Sequence, residues 1–340
     1  MTPEDRERYS RQIRLAGVGE HGQQRILDAH VVIIGCGALG SFQAGALARA
    51  GVGRLTIIDR DYVELNNLHR QWLFEESDAE EALPKAAAAA RRLRQINGAC
   101  VVEPVIADLT PANIDDVCEG AGLILDGTDN FETRYLINDY AVFHDVPWIY
   151  GAAVGTYGIT MPVLPGRTSC LACVYPEPPG ANQPSCETVG VLNAITAAVA
   201  SLQVANALHL LAQGREAVAP RITTIDVWNG PMRQSAQPDP RPDCTTCGTR
   251  EFPWLRRRRP TPISLCGRNA VQIHERERQV DLARLQRDLA GVGTVRANEF
   301  ALRLSIAPYE LTVFPDGRAI VKGTTDVGVA RSLYSRYVGN

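Results

Sequence analysis

In the first half of the chain, apolar residues come in short unbroken runs: Val31-Val32-Ile33-Ile34, Leu55-Thr56-Ile57-Ile58, Leu123-Ile124-Leu125, Trp148-Ile149-Tyr150 and the stretch 101–106. Runs of this length without polar alternation are the pattern of strands covered on both faces, as in a parallel sheet. Between them lie segments of helical character at 38–50, 84–97 and 130–144. The second is alanine-rich, with Pro near its start and Asn-Gly at its end. Residues 1–30 read as a polar helical lead-in. Strand alternating with helix predicts an α/β fold, a doubly wound Rossmann-like sheet with helices on both faces.

The pattern changes after residue 155. Residues 156–164 read as a hairpin arm, 165–187 as a loop rich in Pro and Cys, 189–212 as a long helix and 221–228 as a further strand. Ser201, Gln203, Asn206 and His209 interrupt the apolar stretch 194–212, which suits a buried helix and not a membrane span. Residues 229–262 hold seven prolines and the run Arg256-Arg257-Arg258-Arg259. The expected division is a domain over 1–250, a Pro/Arg linker over 251–262 and a small α+β domain over 263–340. In that last part, strands are expected at 271–274, 301–306, 310–314 and 319–321, and helices at 281–289 and 327–337.

Composition narrows the class. Lys plus Arg is 35 and Asp plus Glu is 38, a formal net charge of −3, which argues against a whole-surface grip on nucleic acid. A hydrophobic content of 45% supports a packed core and excludes global disorder. The charged N-terminus has no apolar segment behind it, so no secretory signal is expected and the cytoplasm is the expected compartment.

Gly35-Cys36-Gly37-Ala38-Leu39-Gly40 fits G-x-G-x-x-G between an expected strand and an expected helix. Glycines there let a backbone approach phosphate at a helix N-terminus. Asp59 ends the next strand, nineteen residues after Gly40, where an acid accepts from ribose hydroxyls. Taken alone, this suggests an NAD-dependent oxidoreductase. Two cations at the carboxyl edge, Arg70 in Asn66-Asn67-Leu68-His69-Arg70-Gln71 and Lys85 opening the next helix, suit the three phosphates of ATP better. Asp129 is a candidate Mg²⁺ ligand, since hard cations take carboxylate oxygen.

The cysteines add a second site. Cys170-Leu171-Ala172-Cys173 and Cys244-Thr245-Thr246-Cys247 are two C-x-x-C knuckles with 70 residues between them. Four thiolates in that arrangement suit a closed, structural Zn²⁺ site. Cys36, Cys100 and Cys118 are expected to pack as small apolar residues, and burial is the better reading of Cys266 than sulfur carriage.

In order along the chain, Arg8-Tyr9-Ser10-Arg11-Gln12-Ile13, the glycine loop, Gly51-Val52-Gly53, Asp59, the N-L-x-R-Q run, Pro84-Lys85 and the D-x-T-D-N run at 126–130 resemble a known family. It includes molybdopterin-synthase adenylyltransferase, thiamine-biosynthesis adenylyltransferase and the ubiquitin-activating enzymes. The resemblance covers roughly residues 5–250. It implies adenylation of the C-terminal Gly-Gly carboxylate of a small ubiquitin-like sulfur-carrier protein, with ATP and Mg²⁺, ahead of thiocarboxylate formation. Molybdenum-cofactor or thiamine biosynthesis is the pathway it points to. It further implies that Gly35, Gly37, Ala38 and Gly40 cradle the nucleotide and that Asp59 holds the ribose. Asn66 belongs to the same phosphate run, and Asn67, Arg70 and Lys85 would contact phosphates. Asp129 would position Mg²⁺, and Asn130 would lie beside the adenosine site. Arg11 would act across a two-fold interface, implying a homodimer. Alanine at 38 departs from the glycine frequent in the family.

Cys186 aligns with a cysteine that some relatives use in thioester or persulfide chemistry, and its role stays open beside a plain loop cysteine. The sulfur donor would be a partner such as a cysteine desulfurase or a rhodanese. The C-terminal domain is too short for a rhodanese domain and lacks that active-site loop, leaving carrier docking or dimer support. A tRNA-directed relative of the cyclic threonylcarbamoyladenosine dehydratase type, an NAD oxidoreductase and a non-catalytic scaffold are the competing readings.

Overall fold

A computed structural model of the chain describes residues 1–178, 186–230, 232–256, 263–265, 269–273 and 279–339. Two compact units divide it: Met1–Ala79 with Pro84–Arg257, and Glu80–Leu83 with Arg258–Asn340.

The first unit opens with three short helices, α1 (Pro3–Arg8), α2 (Ser10–Ile13) and α3 (Gly19–Leu27). They lead into β1 (His30–Ile34), α4 (Ala38–Ala50), β2 (Arg54–Ile58), α5 (Glu76–Glu80), α6 (Lys85–Ile96) and β3 (Val101–Val105). The chain then crosses back through α7 (Ile114–Val117) to β4 (Leu123–Asp126), α8 (Phe131–Phe143), β5 (Trp148–Val154) and β6 (Tyr157–Val163). Short helices α9 (Leu171–Val174) and α10 (Cys186–Val189) precede α11 (Asn193–Gln213), β7 (Arg221–Asp226) and β8 (Arg233–Ala236).

These strands form one sheet in the order β3-β2-β1-β4-β5-β6-β7-β8. The first five are mutually parallel and the last three antiparallel. Alternate residues of each strand serve opposite faces. Val32, Ile34, Ile124, Trp148 and Tyr150 pack with Tyr135, Leu136 and Tyr140 of α8. On the other face, Leu39 of α4 packs with Ile195, Val199 and Ala200 of α11. This is the expected doubly wound α/β sheet. The chain runs outward from β1 to β3 and then returns to pair β4 with β1. The switch point between β1 and β4 is where sheets of this kind seat ligands.

The helix expected over 189–212 is broken. Gly190 has φ +82°, and Val191 bridges to Gly155, so α10 stops and α11 starts afresh. The sequence reading also starts a linker at 251, whereas the first unit runs on to Arg257. Phe252 is buried there, and Trp254 stacks on Tyr135 at 5.2 Å between ring centroids. The arginines at 257–259 and Cys266 lie outside the described residues.

The second unit is a six-stranded antiparallel sheet in the order β11-β12-β13-β14-β10-β9. Its strands are β9 (Ile263–Leu265), β10 (Ala270–Ile273), β11 (Thr294–Ala297), β12 (Leu302–Ile306), β13 (Tyr309–Val313) and β14 (Ala319–Lys322). One face, with Val271, Leu304, Leu311, Val313 and Val321, packs with Leu285 of α12 (Leu282–Asp288) and Ala330 of α13 (Val327–Tyr337). Asp281 and Asp326 cap these two helices, each accepting backbone N–H groups of the first turn. The α+β character of this region is as expected.

Candidate functional site

The loop from β1 into α4 is held by backbone crossing backbone. Gly35 takes φ +88°, and a Cβ there would meet the Gly127 carbonyl oxygen at 2.6 Å. A Cβ on Gly40 would fall 1.8 Å from the Gly35 carbonyl oxygen. These glycines are needed so that the turn after β1 lies against the turn after β4. Gly37 differs: among the described residues beyond its chain neighbours and helix, only the Gln71 side-chain nitrogen, at 4.0 Å, comes near a Cβ placed there. Gly37 caps α4 with no side-chain hydrogen bond, and Ala38 adds only a methyl group at the first helical position. The first-turn N–H groups and the helix dipole thus favour an anion at an open backbone surface.

Asp59 is half-buried beside this loop. One carboxylate oxygen accepts the Cys36 N–H at 2.7 Å and the other accepts the Asp61 N–H at 2.7 Å. Burial pushes its carboxyl above the ordinary carboxylate range, and the Lys85 ammonium pulls against that shift. Lys85, the first residue of α6, is only 7% exposed. Its Nζ stands 3.3 Å from Asp61 Oδ2, and its N–H donates to the Asp61 carbonyl at 2.8 Å. Asp61 therefore joins the acid expected at the ribose to the lysine expected at the phosphates.

The N-L-x-R-Q run is a tight turn. Buried Asn67 accepts the Glu64 N–H at 3.2 Å through Oδ1 and donates to Asn66 Oδ1 at 2.7 Å. Arg70 donates to the Asn66 carbonyl at 2.8 Å and lies 2.6 Å from a His69 ring nitrogen. Asn66 is exposed. The Trp72 N–H donates to Ser41 Oγ in α4 at 3.1 Å, which pins this turn beside the glycine loop.

Across the switch point, Asp129 and Asn130 are exposed. Asn130 Oδ1 caps α8 by accepting the Thr133 N–H at 2.8 Å, and its Nδ2 reaches Asp129 Oδ1 at 3.5 Å. Beneath them lies a pair that joins Asp126, the first residue of that run, to Arg134, which no motif marks. Asp126 is wholly buried; its Oδ2 accepts from Arg134 Nε at 3.1 Å and its Oδ1 from the Thr128 hydroxyl at 2.7 Å. Arg134 also donates to the Thr128 and Gly151 carbonyls at 2.6 and 3.2 Å. Burial drives the Asp126 carboxyl up, opposed by the guanidinium. The pair locks the 126–130 turn to β5.

Arg11 is the expected site residue that stands apart. It is exposed on α2. Its neighbour Gln12 donates to the Ala50 carbonyl at 2.9 Å. Ala50 ends α4, whose thirteen residues span about 20 Å, with the glycine loop at the far end. Cys186 opens the four-residue α10.

The two knuckles do meet. Cys170 Sγ is 3.9 Å from Cys173 Sγ and 3.6 Å from Cys244 Sγ, and Cys173 Sγ is 3.3 Å from Cys247 Sγ. All four sulfurs lie within 4.8 Å of one another. A tetrahedral metal with ~2.3 Å bonds to sulfur sets its ligands about 3.8 Å apart, whereas a disulfide needs ~2.05 Å. The four therefore fit Zn²⁺. Hydrogen bonding with the Cys170 thiol pulls Cys173 down to about 6 and draws Cys244 down as well, while Cys170 itself and Cys247 are raised, so the four sulfurs share their protons unevenly. The Arg241 N–H donates to Cys173 Sγ at 3.4 Å, as outer groups around a thiolate site do. Cys36, Cys100 and Cys118 are buried, and burial raises all three thiols, as expected of packing residues.

Residues 9–246 match the ThiF family. The chain is 41% identical over 336 residues to a sulfur carrier protein ThiS adenylyltransferase of Bacillus subtilis, covering 98% of this chain and 99% of that protein. It is 36% identical over 243 residues to a SAMP-activating enzyme E1 of Haloferax volcanii, with 71% of this chain and 88% of that one covered. Among solved structures, Escherichia coli MccB with ATP superposes with a TM-score of 0.62 at 23% identity, over 73% of this chain and 76% of that chain, a likeness of fold. The Bacillus relative shares the second unit, while the Haloferax match covers only 243 residues.

Proposed function

The chain belongs to the ThiF family, and on that premise we propose that it adenylates the C-terminal Gly-Gly carboxylate of a small ubiquitin-like sulfur carrier. One observation carries this reading: the uncapped start of α4, Asp59, Lys85 and the 126–130 turn converge on one seat at the switch point. The full-length similarity to a ThiS adenylyltransferase favours a carrier of the thiamine-pathway kind over a molybdenum-cofactor one.

The carrier's carboxylate oxygen attacks the α-phosphorus of ATP. The bond to the bridging oxygen breaks, and pyrophosphate leaves with the electron pair. The carboxylate is already ionised, so no side chain has to act as base or nucleophile. Positioning and charge neutralisation do the work. Asp59 accepts from the ribose, and the α4 N-terminus, Asn67, Arg70 and Lys85 hold the phosphates. Asp129 would be the carboxylate that holds Mg²⁺, which would offset the charge on the departing pyrophosphate. Asn130, already capping α8, supports this edge beside the adenosine. Zn²⁺ on the four cysteines would be structural, since the four sulfurs complete the set of ligands.

The protein acts as a homodimer in this reading. Arg11 sits about a helix length from its own glycine loop, and in this reading a second copy presents it there. The α11 helix carries no charged residue over its 21 residues. Only 44% of its most apolar stretch is buried. Beside it runs an apolar groove of about 300 Å³ lined by Leu15, Val18, Ile26 and Leu208. Sulfur from a donor such as a desulfurase or rhodanese partner in the cytoplasm then attacks the carbonyl carbon of the acyl-adenylate, and the bond to phosphate breaks with AMP leaving.

The test is ATP–pyrophosphate exchange with purified protein, offering small Gly-Gly-ending proteins one at a time. Exchange that depends on one carrier and on its terminal Gly-Gly supports the reading. Tight ATP binding without exchange for any carrier turns the reading toward RNA.

A further inference from the structure

Gln71 follows Arg70, yet its side chain takes no part in the turn that holds its neighbours. Its backbone N–H donates to the Asn67 carbonyl at 3.0 Å, and its carbonyl accepts the Phe74 N–H at 3.4 Å. The residue is only 4% exposed, and its Oε1 is buried with no hydrogen-bond partner among the described residues. A buried amide acceptor left unmet is costly, and folds tolerate it chiefly where the group serves something besides packing.

The other end of the amide shows what that is. Outside the chain neighbours of Gly37 and its own helix, Nε2 is the one atom among the described residues within 4.0 Å of a Cβ built there, so it borders the open surface at the N-terminus of α4. The Trp72–Ser41 hydrogen bond fixes the chain one residue further on, which keeps the amide from swinging away. Beyond its chain neighbours and its own helix, a Cβ at 37 would meet only this amide among the described residues, so crowding within the fold does not explain the glycine. Both oddities, an open glycine and a fixed amide, mark the same few cubic ångströms.

We infer that Gln71 is a ligand-binding residue whose Nε2 donates to a phosphate oxygen of the nucleotide seated on Gly37. The inference rests on the adenylation reading and adds a neutral donor to its cations. An anion also selects the amide orientation, because an oxygen turned toward phosphate would repel it. The donor lies at the start of α4, so it reinforces the helix dipole on the phosphate side and has no part in holding the carrier.

Two variants of near-equal size test this. Gln71→Met removes the donor, and Gln71→Glu replaces it with a carboxylate. ATP affinity is measured by calorimetry without carrier, and KM for ATP and for carrier by pyrophosphate exchange. Deleting a hydrogen bond to a charged group costs on the order of tenfold to a hundredfold in affinity. Gln71→Met is expected to weaken ATP by that factor, and Gln71→Glu by more, with the carrier KM unchanged. The melting temperature of ligand-free Gln71→Met should hold or rise, because a buried unmet acceptor is gone, whereas a purely structural role would lower it. Wild-type affinity for ATP in either variant overturns the inference and leaves the nucleotide reading intact. Failure of the wild type itself to bind ATP overturns both.

Discussion

Asn138 and Asp139 are consecutive on α8, and each holds one of the two cysteine knuckles. Asn138 Oδ1 accepts the Leu171 N–H at 2.8 Å, at the start of the helix that carries Cys173. Asp139 Oδ1 accepts the Thr246 hydroxyl at 2.6 Å, and its Oδ2 accepts the Trp254 N–H at 2.7 Å. The same helix begins at the Asn130 cap, beside Asp129. One rigid element therefore spans the four-cysteine cluster and the proposed nucleotide seat.

Asp139→Asn should loosen the second knuckle, because an amide cannot accept from all of these donors at once. Leaving a buried donor unmet costs about 1–3 kcal/mol. The measurements are the melting temperature and the rate at which a chromophoric chelator strips zinc. A variant with wild-type stability and zinc retention would refute the coupling.

Removing the metal should expose the segments around 165–178 and 237–256 to protease while leaving the parallel sheet protected. Those segments are tied down by the sulfurs, by α8 and by a few bonds such as Arg167 to the Val218 carbonyl, not by strand pairing. Chelator-treated protein cut first within β1 to β4 would contradict this.

Arg70→Ala and Lys85→Ala should each lower pyrophosphate exchange by on the order of 10² to 10³, the usual loss for one preorganised charge stabiliser. Near-normal exchange in both would mean that the phosphates lie elsewhere.

Arg11→Ala and Lys85→Ala should each be inactive alone and regain activity when co-expressed. A random mixture of two-fold dimers restores about a quarter of the sites, because only one site of each heterodimer is whole. No recovery in verified heterodimers would place Arg11 outside the site.

Asp59 gives the pH dependence. Its carboxyl is raised by burial against the pull of Lys85, so the folded protein holds that proton more tightly than the unfolded chain does. Its contribution to the stability of ligand-free protein therefore grows as pH falls toward its unfolded value. ATP affinity moves the other way, since a ribose hydroxyl needs the ionised acceptor, and it declines on acidification through the raised pKa. Titrating both properties in the wild type and in Asp59→Asn checks the pair of signs. Identical acid slopes in the two proteins would remove Asp59 from the site.

Much of this was legible in the residue order. The unbroken run at Val31–Ile34 and the glycine pattern after it mark β1, its loop and α4, whose observed bounds, Ala38–Ala50, match the expected 38–50. Strand β8 was not legible: Arg233-Gln234-Ser235-Ala236 has no apolar alternation, because this edge strand is exposed along its whole length. The break at Gly190 was overlooked because the apolar pattern continues across it, and only the bridge to Gly155 makes the turn necessary. The Asp126–Arg134 pair has no local spacing rule, since a turn and a helix start separate its partners. Gln71 ends the N-L-x-R-Q run, but its orphaned oxygen is a property of the packed fold alone.

The crossing of Gly35 with Gly127 also sets an order of assembly. Ninety-two positions separate the two glycines, and they meet only once β4 has paired with β1. A chain emerging from the ribosome as far as α7 already carries the glycine loop, Asp59, Arg70 and Lys85. It has nothing for the loop to close against, and long-range pairings of this kind form late. A half-made copy therefore lacks the closed loop on which the proposed nucleotide seat depends, and the seat is complete only once the fourth strand has slid in.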